Sequence, residues 1–289
     1  MAILETDVDG VPTLIAPTSG PVRAALLFRV GQADETLVRS GVTHLVEHLA
    51  LHRLGITDYH YNASVGTTVT IFHTVGDIDE VVAFLGQVCT QLRDLPTDRL
   101  QTEKDILRTE WAGKPRSVDE TLARWRYGAQ GYGLPGYREL GLRAVSEDDL
   151  QAWVEGWFAR DNAVLTLTSD ELPRGLQLNL PAGSRRPVPA PTCALPTMPA
   201  YFADGNGAVG FDAVVRRSPA VAAFTAVLQR QLYRVLRYEG GISYAVNTDQ
   251  RPRGDWYSTV TAAADGLRDS QSAVLGGFID TLAGSRPVG

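Results

Sequence analysis

Two histidines and a glutamate stand close together in this chain, at His44, Glu47 and His48. Spacings of three and four residues put side chains on one face of an α-helix. The stretch Gly41-Val42-Thr43-His44-Leu45-Val46-Glu47-His48-Leu49 would therefore present two imidazoles and a carboxylate to the same side. Such a face can hold a metal. Neutral imidazoles bind Zn²⁺ at about 2.0–2.1 Å, and a catalytic zinc site needs one more protein ligand plus a position open to water. Glu47 is too close in sequence to be the favoured third ligand; beside the metal it is better placed to take a proton from the bound water. The third ligand has to come from elsewhere in the chain.

The order HxxEH inverts the HExxH helix pattern and is a signature of zinc peptidases. With only five histidines in the chain, a chance occurrence of the pattern is rare. The plain alternative is a histidine pair on a polar helix face.

Positioning that helix requires a frame. Residues 11–16 and 22–30 read as two strands of a hairpin, joined by the turn-forming cluster Pro17-Thr18-Ser19-Gly20-Pro21. A polar link, 31–40, leads to the motif helix, which Gly55 ends. Residues 59–75 alternate and are rich in Thr and Val, so they form a strand pair or one long strand, beginning with Tyr61-Asn62-Ala63-Ser64. Helical periodicity marks 77–92, closed off by Pro96, and a further helix runs over 98–111. That helix carries Glu103 and Glu110, seven residues and hence two turns apart on one face. On pattern alone the pair reads as part of a solvated surface with charges of both signs.

Another helix covers 117–127, followed by a Gly- and Pro-rich loop over 128–136 that lacks the GK[ST] ending of a phosphate cradle. Ser146 caps a helix running to Phe158, and 162–168 is a strand. Prolines at 181, 187, 189, 191, 196 and 199 mark 181–199 as a linker between an N-terminal domain, 1–180, and a second domain, 200–289. In the second domain, strands are expected at 209–215, 243–247 and 256–263, with helices at 219–238 and 270–282.

Of the 289 residues, 27 are Lys or Arg against 33 Asp or Glu, a net charge of −6 that argues against an electrostatically driven nucleic-acid binder and mildly favours basic peptides. The acidic N-terminus does not look like a signal peptide, and no apolar run reaches membrane-spanning length, so a cytoplasmic protein is expected. Cys89 and Cys193 are too few for a disulfide framework or a cysteine-based zinc site.

Taken in order, the motifs resemble the pitrilysin and insulin-degrading family of zinc metallopeptidases, which includes the mitochondrial processing peptidase. Gly31, Glu35, Gly41 and His44 to His48 follow the family's approach to HxxEH, and Asn62-Ala63 looks like its Asn-Ala segment on the next strand. Glu103-Lys-Asp-Ile-Leu-Arg-Thr-Glu110 is similar to its helix with two acids seven apart. By this resemblance Glu110 is the third zinc ligand and Glu103 a supporting carboxylate. Leu236-Arg237-Tyr238-Glu239-Gly240-Gly241-Ile242-Ser243-Tyr244-Ala245-Val246 is similar to the family's Leu-Arg-x-x-x-Gly-Leu-x-Tyr-x-Val stretch, which gives Arg237 and Tyr244 a role at the substrate. Without the resemblance these two read as a helix-end Arg and a core strand Tyr.

The resemblance implies an α+β fold of two related α/β-sandwich domains of the pitrilysin/processing-peptidase type. Their sheets would be mixed or antiparallel, with helices on one face, and the second domain truncated. It implies a zinc-dependent endopeptidase acting on short or unfolded peptides. One Zn²⁺ per site would be held by His44, His48 and Glu110, with Glu47 as general base and Asn62 and Ala63 pairing with extended substrate. It also implies a homodimer or a heterodimer with a related subunit, while charge and hydropathy point to no nucleic-acid or membrane partner. A different class stays open: a non-catalytic relative serving as scaffold or partner subunit, although such relatives lose ligand residues and this chain keeps them. Two departures stand out. His48 and Glu110 are closer in sequence than is usual in the family, with the shortening between Gly55 and Asn62. The second domain also stops early, as expected of a trimmed or split chain or one completed by a partner.

Overall fold

Every second residue of Val22–Phe28 from Ala24 onward is buried, and that alternation sets up the sheet on which the site rests. The computed structural model describes residues 3–55, 57–114, 117–203, 207–266 and 271–284. They form two units: Met1–Lys114 with Ala129–Val188, and Pro115–Gly128 with Pro189–Gly289.

The first unit holds β1 (Leu4–Val8), β2 (Val11–Ile15), β3 (Val22–Phe28), β4 (His60–Val65), β5 (Thr70–Gly76) and β6 (Ala163–Leu167) in one mixed sheet, ordered β1-β2-β6-β3-β5-β4. Only β2 and β6 pair in parallel. The expected hairpin of 11–16 with 22–30 does not form. Instead β2 turns back on β1 through Asp9 and Gly10, both at positive φ, and β6 lies between β2 and β3. The reason is burial: β3 and β6 carry Leu26, Phe28, Leu165 and Leu167, all at most 1% exposed, and pairing them with each other keeps both off the sheet edge.

Helices cover one face of this sheet. In α1 (Val42–Leu51), Val42, Leu45, Val46 and Leu49 are fully buried, while His44 and His48 on the opposite side are half-buried. At about 1.5–3 kcal/mol per buried aliphatic side chain, those four residues anchor the helix firmly enough to present a polar face. Next come α2 (Ile78–Arg93), at whose start Glu80 Oε2 accepts from the Asp77 N–H at 2.7 Å, and α3 (Leu100–Gly113). The fourth helix, α4 (Val118–Tyr127), belongs to the second unit, and α5 (Glu147–Trp157) returns to the first. Cys89 is buried in this core, which pushes its thiol up to about 12, whereas Cys193 is exposed.

In the second unit β7 (Ala208–Arg216), β8 (Val246–Arg253) and β9 (Tyr257–Asp265) form an antiparallel sheet ordered β7-β9-β8. Beside it lie α6 (Pro219–Leu232), which continues into a π-helical stretch Tyr233–Glu239, and α7 (Gln271–Gly284). Leu228, Leu232, Leu236, Val246, Ala262, Ala264, Val274 and Phe278 make its core. On α4, Val118 fills the space over Gly210, where a Cβ would lie 2.3 Å from Val118 Cγ1. Arg126 grips Asp212 with two side-chain bonds of 2.5 and 2.9 Å. The strand expected at 243–247 begins only at Val246. Asp265 Oδ1 explains the delay, because it accepts from Ser243 Oγ at 2.7 Å, Tyr244 N at 2.8 Å and Ala245 N at 2.7 Å, and so holds these residues in a turn. Ser270, the expected start of the last helix, lies outside the described residues. Among the described residues no helix is long and apolar enough to cross a membrane.

Candidate metal centre

Gly41 starts α1 at φ +94, a left-handed conformation suited to glycine, and a Cβ there would lie 2.8 Å from Glu139 Cβ. The Gly41 and Thr43 N–H groups, among those the first turn leaves unpaired, donate to Glu35 Oε2 at 2.8 Å and Oε1 at 2.9 Å. Burial dominates the ionisation of Glu35 and raises its pKa to about 7 despite these bonds.

On the polar face of α1 the rings of His44 and His48 meet edge to face, 5.0 Å apart. Each ring has one nitrogen held by a buried carboxylate: His44 Nδ1 lies 2.9 Å from Glu139 Oε1, and His48 Nδ1 lies 3.1 Å from Glu103 Oε2. The other nitrogens turn toward a common acid. Glu110 Oε2 is 4.0 Å from His44 Nε2, and Glu110 Oε1 is 3.8 Å from His48 Nε2. Glu47 Oε2 is 3.5 Å from His44 Nε2. Burial opposes protonation of His44, but the hydrogen bond it makes to Glu139 and the charges of Glu139, Glu47 and Glu110 outweigh it and hold the pKa above the ordinary imidazole value. Burial likewise raises Glu47, against the pull of both histidines.

Two ligand atoms on one tetrahedral zinc lie about 3.4 Å apart, given bonds near 2.0–2.1 Å. The separations from Glu110 to both Nε2 atoms exceed that by a few tenths of an ångström, and His44, Glu47 and His48 offer ligand atoms all within 4.8 Å of one another. The donor set of imidazole nitrogens and carboxylate oxygens fits Zn²⁺. The histidines also have the carboxylate partners that fix ring orientation in zinc sites.

Of the sequence-predicted residues, His44, Glu47, His48, Glu103 and Glu110 come together between α1 and α3. Asn62 and Ala63 lie on β4, the sheet edge beside α1, where Asn62 Oδ1 accepts from Ala63 N at 2.9 Å. Arg237 and Tyr244 belong to the second unit and form a cluster of their own. The Arg237 guanidinium lies 4.5 Å from the Tyr244 ring centroid and 5.4 Å from that of Tyr233, and its Nη1 donates to the Tyr244 carbonyl. Sequence reasoning missed Glu139, which sits just beyond the Gly- and Pro-rich loop in a stretch with no periodicity, and it gave Glu35 no role.

No protein-family model and no curated protein matches this chain. Solved structures do. The ferredoxin protease FusC, a mutant in complex with Arabidopsis ferredoxin, aligns at 17% identity and a TM-score of 0.63, over 96% of this chain and 37% of that one. Pitrilysin aligns at 14% and 0.62, over 97% of this chain and 36% of that one. A peptidase M16 inactive domain from Pseudomonas fluorescens aligns at 15% and 0.69, over 98% and 79%. This chain thus spans little more than a third of the first two. The fold is that of the pitrilysin-type peptidases, as the resemblance in the sequence implies.

Proposed function

We propose that the protein is a zinc-dependent endopeptidase acting on short or unfolded peptides. The observation that carries this reading is the convergence of both histidine Nε2 atoms on Glu110 while buried acids hold both Nδ1 atoms. His44, His48 and Glu110 would hold one Zn²⁺, which when bound supplies Lewis acidity to polarise a carbonyl and to acidify water. Glu47 then acts as general base. It takes a proton from water as the oxygen bonds to the scissile carbonyl carbon, and returns that proton to the amine nitrogen as the C–N bond breaks.

Glu103 steadies His48. At the edge of the sheet β4 offers unpaired backbone groups, so Asn62, Ala63 and their neighbours would receive an extended peptide as an added strand, which favours flexible substrates over folded ones. Arg237 and Tyr244 would grip the substrate backbone or the developing oxyanion. The working form would be a homodimer or a heterodimer with a related subunit. A cytoplasmic location fits the two free cysteines.

The test is Glu47→Gln in the purified protein. It should keep stoichiometric zinc and lose about 10²–10⁴-fold in peptide hydrolysis; full hydrolysis by the variant overturns the assignment. The second reading, a non-catalytic scaffold or partner subunit, is favoured by one observation, the inactive domain among the similar structures. Metal analysis separates the two, since a scaffold has no need of stoichiometric zinc.

A further inference from the structure

Glu139 is buried, at 6% exposure, and only one of its carboxylate oxygens has a hydrogen-bond partner: Oε1 meets His44 Nδ1 at 2.9 Å, while Oε2 is buried and unpaired. It lies beside a small cavity lined by Gln32, Glu35, Ser40, Trp111 and Leu134. Its backbone is as unusual as its side chain. Arg138 and Glu139 stand consecutively at φ +48 and +49, between the short 3₁₀ turns Gly131–Tyr137 and Leu140–Arg143. Two adjacent non-glycine residues in the left-handed region persist only where the surroundings over-determine them. Burying a carboxylate on a strained backbone for a single hydrogen bond is costly, so that bond is where its role lies.

An ionised carboxylate can only accept, so the His44 nitrogen facing it must carry the proton. The Nε2 atom of the same ring is then left with a free lone pair, on the side facing Glu110 and Glu47. Glu103 makes the matching contact with His48, but shares its charge with Arg99 Nε at 3.2 Å.

We infer that Glu139 is a positioning residue that fixes His44 as its Nδ1–H tautomer and so keeps the Nε2 lone pair on the metal side. The consequence for zinc rests on the metal reading above; the tautomer does not. Long-range ¹H–¹⁵N correlation spectra of metal-free protein, at a pH where imidazoles are neutral, report each ring's tautomer directly. Wild-type His44 should be in the Nδ1–H form. Glu139→Ala should mix its tautomers and leave His48 alone, Glu103→Ala should do the reverse, and Glu139→Gln, which keeps an oxygen acceptor in place, should restore His44. Zinc affinity, read by competition with a chromophoric chelator, should fall about 10–100-fold in Glu139→Ala and less in Glu139→Gln.

A wild-type His44 in the Nε2–H form overturns the inference whether or not the alanine variant folds. So does an unchanged His44 tautomer in a folded Glu139→Ala protein. Wild-type protein that takes up no zinc would sink the peptidase reading instead, and the metal-free spectra would still decide the role of Glu139.

Discussion

The His–Glu cluster of the first unit and the Arg–Tyr cluster of the second are built on opposite plans. Around His44 and His48 the supporting acids are deeply buried, Glu103 at 4% and Glu139 at 6% exposure, and the helix beneath them is locked into a large core. Arg237, by contrast, rides on a π-helical stretch, stacked between two tyrosines, and Tyr244 is 69% exposed. Ligands for an ion must be held within a fraction of an ångström before the ion arrives. Groups that grip a flexible substrate can stay loose and settle as it binds. Exposed stacking beside an irregular helix end is compatible with that second task.

The widest gap between the two regions should open on metal removal. A chelator should take peptide hydrolysis to background and added zinc should restore it, whereas Arg237→Ala should leave metal content at the wild-type level. Zinc loss in that variant would erase the distinction.

Acids in the two regions also titrate in opposite directions. Burial lifts Glu35 to about 7 from 4.5, so the folded protein holds its proton more tightly than the unfolded chain. Its contribution to stability is therefore full below 4.5 and lost as pH rises through about 7, a change of about 3 kcal/mol. Burial would raise Asp265 as well, but the Ala245 and Tyr244 amides and the Ser243 hydroxyl outweigh it and hold the carboxyl below its ordinary value. Its contribution is present above the unfolded value and is lost as pH falls through the lower folded one. Melting temperatures of metal-free protein across pH should accordingly lose their alkaline slope in Glu35→Gln and their acid slope in Asp265→Asn. Identical profiles in both variants would refute these assignments.

Next in size is Glu110→Ala. Its side chain is 51% exposed, so metal-free stability should change by no more than about 0.5 kcal/mol while zinc affinity falls about 100-fold. A large drop in metal-free melting temperature would instead make Glu110 a structural residue. The smallest effect is expected for Arg237→Lys, which keeps the charge but loses the planar stack on Tyr233 and Tyr244. KM should rise several-fold, corresponding to about 1 kcal/mol, at unchanged zinc content.

Much of the site could be read from local spacing. Intervals of three, four and seven residues fix which side chains share a helix face, so His44, Glu47 and His48 on α1, and Glu103 and Glu110 on α3, were legible as two faces. The start of α5 was legible from Ser146, because a cap bonds within its own turn. Where the sequence misled, the competing interaction was distant. The turn cluster at 17–21 suggested a hairpin, but β3 found more buried surface against β6, well over a hundred residues away. Nothing within 117–127 announces that α4 packs against β7 and β9.

The chain by itself therefore determined which side chains share a face, His44, Glu47 and His48 on one helix and Glu103 and Glu110 on another, since that follows from covalent spacing and helical pitch; the α+β class and the place of Glu110 at the site came from the family resemblance. Only the folded structure decided that α1 and α3 pack so as to bring Glu110 to 4.0 and 3.8 Å from the two imidazoles, and that Glu139 arrives from a turn with no pattern of its own. Contacts between elements depend on which surfaces exclude water together, and that choice is made by the whole core rather than by any local stretch of residues.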